Sequence, residues 1–133
     1  MIICAPQVCL VFQNYIDHPD AYSFTDLSLA PLKAALPIAS AMFARALKTP
    51  NLKMVFGTDA VALAHGRNGG ELTCRVKAGQ SPTAAIVSAT SAGAAALGLG
   101  DSIGSIAQGY DADLIAVNDD PTRDITALET CCS

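Results

Sequence analysis

The segment that most restricts the fold is a short apolar run, Leu52-Lys53-Met54-Val55-Phe56, closed by Gly57 and followed at once by Thr58-Asp59-Ala60. It carries no helical stripe, so it reads as a buried strand. Upstream, Leu32, Leu36, Ala39, Phe43 and Leu47 recur every three or four positions and predict a helix ended by Thr49-Pro50-Asn51. Pro37 should kink that helix or open its second half. Residues 2–12 read as another buried strand, or two short ones broken at Pro6, and residues 13–30 as a long polar loop. The order strand, helix, strand is a βα repeat with parallel pairing, and the fold class is α/β.

Downstream, Glu71 to Ala78 predicts a short helix stopped by Gly79. Ser81 at an N-cap and Pro82 at the first helical position open an Ala-rich stretch with Gly98 as its natural terminator. Thr90-Ser91 divides that stretch into two helices. Residues 103–117 alternate small turns with β-formers and read as two short strands joined at Gly109. Asp119-Asp120-Pro121 then turns into a polar tail.

Composition narrows the function classes. With 12 acidic and 8 basic side chains the net charge is −4, and no two cations are adjacent. Neutralising several phosphates takes clustered Lys and Arg, so nucleic acid is not an expected partner. The apolar start, residues 1–12, lacks a basic flank and is interrupted by Pro6 and Gln7. It suits neither a signal peptide nor a membrane span, and a cytoplasmic protein with no membrane partner is expected. A chain of 133 residues suits one ordinary domain and falls short of the ~250 of a complete (β/α)8 barrel. The five cysteines are odd in number and irregular in spacing, so no disulfide framework or metal knuckle can be read from them. Cys4 and Cys9 are expected to be small buried apolar residues. The Cys131-Cys132 pair is expected to be exposed and oxidisable.

The chemistry-bearing candidate is Asp59. A strand that delivers a carboxylate at its C-terminal tip places it where parallel α/β folds bind ligands. There it can ligate a divalent metal or take a proton from a bound water; alternatively it caps a turn. His65 follows in the same loop, within plausible reach of Asp59 or simply solvated. With only two histidines, His18 and His65, the chain cannot build a zinc site of three imidazoles. Gly98-Leu99-Gly100 through Gly104 misses the dinucleotide spacing and follows a helix, so it reads as a cap and turn. No G-x-S-x-G elbow is present, and the aspartates at 111, 113, 119 and 120 read as turn formers.

Phe56-Gly57-Thr58-Asp59-Ala60, then His65-Gly66-Arg67-Asn68 and Glu71-Leu72, resembles the eighth-strand region of the metal-dependent amidohydrolase superfamily, nearest its imidazolonepropionase-like and Xaa-Pro-dipeptidase-like branch. Ser81-Pro82, Leu97-Gly98-Leu99 and Gly104-Ser105-Ile106-Ala107-Gln108-Gly109-Tyr110-Asp111-Ala112-Asp113-Leu114 agree with it. The resemblance implies the last βα units of a (β/α)8 TIM barrel over residues 1–100. It implies part of a small β-sandwich over residues 101–133. Asp59 would be the catalytic, metal-binding aspartate, and His65 and Asn68 would lie on the substrate side. The cofactor would be a divalent metal, zinc by family habit, and the substrate a small amide or dipeptide. Gln7 to Ile16 resembles the seventh strand, and the family's His-x-His and its later histidines are absent. The resemblance therefore implies a catalytically incomplete C-terminal portion, with self-association through exposed apolar faces. The alternative is a non-catalytic α/β self-association module derived from the same family.

Overall fold

The structure is a computed structural model that describes residues 2–130. Two strands, β1 (Ile2–Cys4) and β2 (Leu52–Met54), pair in parallel with Ile2 opposite Leu52 and Cys4 opposite Met54. The pairing continues one step past β2, where Val55 N–H donates to Cys4 O at 2.9 Å. Gly57 serves this approach rather than a sharp turn. A Cβ there would sit 3.2 Å from both the Cβ and the carbonyl oxygen of Ala5. The positive φ that a turn requires belongs to Asp59 itself, at 50°.

The connection between the strands differs from its sequence reading. β1 ends at Cys4, and the segment expected to be a strand or loop becomes α1 (Leu10–Asp17), a short 3-10 turn (Pro19–Tyr22) and α2 (Asp26–Ala46). Gln7 to Ile16 is therefore largely helical, not a seventh strand. The reason lies in its hydrogen bonding, because the first amides of α1 are capped by a buried carboxylate from far along the chain. α2 starts earlier than its apolar stripe and runs through Pro31 and Pro37. A capping box fixes its start: Thr25 Oγ1 accepts from Ser28 N–H at 3.4 Å and Ser28 Oγ accepts from Thr25 N–H at 2.8 Å. By length and composition alone α2 is long and apolar enough to cross a membrane, with 11% of that window buried. Phe43 nevertheless seats it on a core with Val8 and Ala78.

The later helices follow the sequence closely: α3 (Gly69–Lys77), α4 (Pro82–Ala89) and α5 (Ser91–Ala96). Ser81 Oγ accepts from Ala84 N–H at 3.2 Å, and Gly98 takes φ 75° just past the end of α5. α3 lies between two apolar clusters. Cys74 and Ala78 join Val8 and Phe43, while Leu72 and Val76 join Ala85 and Ile125. Burying Leu72 or Phe43 fully is worth about 1.5–3 kcal/mol each.

Residues 103–117 form no strand among the described residues; they run as turns and irregular chain, and a 3-10 turn (Ile125–Leu128) follows. Leu114 and Ile115 are 65% and 70% exposed. β-propensity needs a partner strand and a face to pack on; Gly104 packs on Thr90 and Ala94, but residues 111–116 are exposed and have no partner strand among the described residues. Cys131 and Cys132 lie outside the described residues.

Candidate functional site

The loop from Thr58 to Asn68 leaves the C-terminal end of β2 and is anchored at three points. Thr58 Oγ1 donates to Asn68 Oδ1 at 3.1 Å, closing the loop's neck against the start of α3. Midway, the carbonyl of Ala62 accepts from Asn14 Nδ2 at 3.1 Å and also from the Tyr22 hydroxyl. Asn14 Nδ2 donates to Tyr22 Oη as well, at 2.7 Å. Tyr22 is itself braced by Tyr15, ring centroids 4.7 Å apart, and by Phe24 at 5.8 Å. Ala64, the third anchor, is wholly buried.

On this braced loop Asp59, His65 and Asn68 are all exposed. Asp59 and His65 make no hydrogen bond or ion pair within the described residues. The structure thus brings Asn68 to the strand tip through Thr58, and places Asp59 and His65 on the same loop without joining them. Asn68 keeps its amide donors free, since it is the oxygen that engages Thr58.

The buried polar chemistry lies underneath, on α3, where the sequence reading looked for none. Glu71 and Arg75 are both fully buried, one turn apart, with Arg75 Nε 3.9 Å from Glu71 Oε1. The Glu71 carboxylate accepts from the backbone N–H groups of Val8, of Cys9 at 3.1 Å and of Leu10 at 2.9 Å. It caps α1 from outside that helix, with charge of the sign that the helix N-terminus favours. Arg75 Nη1 donates to Val55 O at 3.0 Å and Nη2 to Pro6 O at 2.5 Å, so one side chain holds the ends of both strands. Its guanidinium also lies 5.3 Å from the Phe43 ring centroid and 5.0 Å from that of Phe56. Burial lowers the Arg75 pKa from its ordinary value, against the opposing pull of Glu71. The pair was visible in sequence only as an acid and a base at i and i+4, a spacing common on solvated helix faces.

A second correction concerns cysteine. Cys9, expected to be a small apolar core residue, is disulfide-bonded to Cys74, with Cα atoms 6.0 Å apart. Cys4 remains a free thiol. Ligand atoms of Cys9, Glu71 and Cys74 all lie within 4.8 Å of one another.

A parallel βα unit with a carboxylate-bearing loop at the C-terminal end of its strands defines an α/β protein. Its sequence matches the model of the amidohydrolase family over residues 13–131, and the chain belongs to that family. Among solved structures, a Xaa-Pro dipeptidase with methionine bound in its active site is similar at 32% identity and TM-score 0.81, over 97% of this chain and 32% of that one. An amidohydrolase is similar at 25% identity and TM-score 0.79, over 96% and 30%. A prolidase complexed with N-methylphosphonate-L-proline shares the fold at 22% identity and TM-score 0.77, over 98% and 31%. The chain thus spans about a third of the length of these proteins. No curated protein sequence matches it.

The family generally uses a divalent metal, and the residues around Asp59 can be tested against one. A firmly held catalytic ion takes at least three protein ligands. Asp59 is exposed and belongs to no group of three or more His, Cys, Asp or Glu ligands among the described residues. The strand tip of this chain does not by itself fit a metal centre.

Proposed function

We propose that the chain is the C-terminal portion of a metal-dependent amidohydrolase that cleaves C–N bonds, amide or peptide, in small substrates. Its strands and helices correspond to the last βα units of a (β/α)8 barrel. The observation that carries this reading is the family match over residues 13–131, together with a parallel strand pair whose C-terminal end delivers Asp59. The similar Xaa-Pro dipeptidase supports a dipeptide as the substrate class. Asp59 is the catalytic, metal-facing carboxylate, and His65 and Asn68 face the substrate. The free amide donors of Asn68 suit a carbonyl or carboxylate oxygen. The other ligands for a divalent ion, zinc by family habit, come from residues outside this chain, so the isolated chain is catalytically incomplete. The reading places the protein in the cytoplasm.

The test is a graft. Residues 2–130 replace the matching third of the similar Xaa-Pro dipeptidase, and hydrolysis of an alanyl-proline dipeptide is followed with and without divalent metal. Turnover that needs metal, and that falls about 10²–10⁴-fold in kcat on Asp59→Asn, is expected of a residue handling the reacting proton. A folded graft whose Asp59→Asn variant keeps its activity removes Asp59 from the site. Hydrolysis by the 133-residue chain alone contradicts its incompleteness.

A second reading, a non-catalytic self-association module, is favoured by the exposed apolar surface. Ile106 is 90% exposed, and Ile3, Met54, Val55, Ala92 and Ala95 line an apolar cleft beside the strands. Light scattering separates the two. A monodisperse oligomer that unfolds cooperatively supports the module, and open-ended aggregation supports the incomplete barrel.

A further inference from the structure

The cluster at the α1–α3 junction has a composition that its structural role does not require. Glu71 alone caps α1, yet two sulfurs lie within 4.8 Å of that carboxylate. Cys74 follows Glu71 by three residues and so shares its face of α3, and Cys9 is the residue from which α1 starts. Both cysteines are half-buried, within reach of small solutes, while Glu71 is wholly buried. A carboxylate offers about four lone-pair positions, and the three backbone N–H groups leave one. Arg75 Nε, 3.9 Å away and without a hydrogen-bond partner, does not fill it.

We propose that Cys9, Cys74 and Glu71 form a redox-gated site for one thiophilic divalent cation, separate from the Asp59 loop. In the disulfide form the two sulfurs are bonded to each other and cannot serve as thiolates. A small dithiol reductant supplies two electrons and two protons; the S–S bond breaks, two thiols form, and the reductant leaves as its own disulfide. The cation then binds as the two thiols release their protons, with two thiolates and one Glu71 oxygen as ligands. Three protein ligands leave a further coordination position open. Soft sulfur ligands select zinc, or cobalt and cadmium as its reporters, over calcium or magnesium.

The experiment uses the full chain carrying Cys131→Ser and Cys132→Ser, so that the tail thiols do not compete. The chain is reduced, freed of reductant, counted for thiols and titrated with Co(II) under exclusion of oxygen. The expected result is a sulfur-to-metal charge-transfer band that saturates at one equivalent and is displaced by Zn(II). That band should be absent from the oxidised chain and lost in Cys9→Ser and Cys74→Ser. It should be unchanged in Asp59→Asn, which separates this site from the proposed hydrolytic one. Circular dichroism shows whether each serine variant keeps its helices; if one unfolds, the other decides. Free thiols at Cys9 and Cys74 with no band overturn the proposal, as does a band that survives both serine substitutions or appears equally in the oxidised chain.

Discussion

Glu71 and Arg75 are wholly buried and satisfy backbone groups from two separate segments, residues 6–10 and Val55, whereas Asp59 and His65, a short way upstream, are exposed and paired with nothing in the described chain. The same contrast separates α3 from residues 112–117. α3 packs on two apolar clusters, while the later segment donates no backbone hydrogen bond among the described residues. Ionic groups are tolerated in a small core only where every donor finds an acceptor, and around Glu71 nearly all do. The exposed loop and tail have the opposite character. They offer unspent donors, carboxylates and apolar surface to something that this chain does not itself provide.

The sharpest way to break this contrast is Glu71→Ala. It strands the buried guanidinium of Arg75 and uncaps the first amides of α1, and losing one partner of a buried pair costs about 3–5 kcal/mol. Domains are stable by only about 5–15 kcal/mol in total. Urea titration should therefore show a strongly lowered unfolding midpoint, while Asp59→Asn, which keeps the left-handed backbone at φ 50°, leaves the midpoint unmoved. Comparable losses from the two variants would erase the distinction.

Gly69→Ala probes a smaller effect at the same helix. A Cβ on Gly69 would lie 2.1 Å from the carbonyl oxygen of Leu128, a backbone atom that cannot swing aside. The 3-10 turn at Ile125–Leu128 must then move off α3, and the expected cost is about 1–3 kcal/mol, as for other overpacked contacts. The urea midpoint measures it. A midpoint unchanged from the parent would mean that the tail is not docked there.

The smallest effect belongs to the exposed turns. Asp124 Oδ1 accepts from Thr126 N–H at 3.0 Å and from Thr126 Oγ at 2.6 Å, and these bonds hold its carboxyl below the ordinary aspartate value. Asp120 is lowered in the same way by Thr122. A folded pKa depressed below its unfolded value contributes stability above the unfolded value, and that contribution fades as pH falls through the folded one. An NMR titration should find both carboxyls acidified relative to unstructured aspartates, and Thr126→Ala, which removes the hydroxyl bond and keeps the backbone one, should raise Asp124 part of the way and leave Asp120 unmoved.

Much of this was legible in the residues. β2, the cap at Ser81-Pro82, the break at Thr90-Ser91 and the end at Gly98 each rest on local rules that tertiary context left intact. The start of the chain was misread because Val8, Leu10 and Val11 look alike in a buried strand and in a buried helix, and the carboxylate that settles the matter lies more than sixty residues away. Nothing local reports such a cap. The Cys9–Cys74 bond was hidden for the same reason, its partners being 65 residues apart. At the other end, residues 103–117 carry the composition of strands without the neighbours that would make them so. Asp59 was legible as a carboxylate at a strand tip; its exposure was not.

Amide hydrogen exchange tests the contrast most directly, in the whole chain under native conditions. The account predicts slow exchange for Leu10, whose amide meets buried Glu71, and for Val55 and Phe56, held by Cys4 and Ser88. It predicts exchange near the free-peptide rate from Ala112 to Val117. Equal protection in the two regions would contradict it.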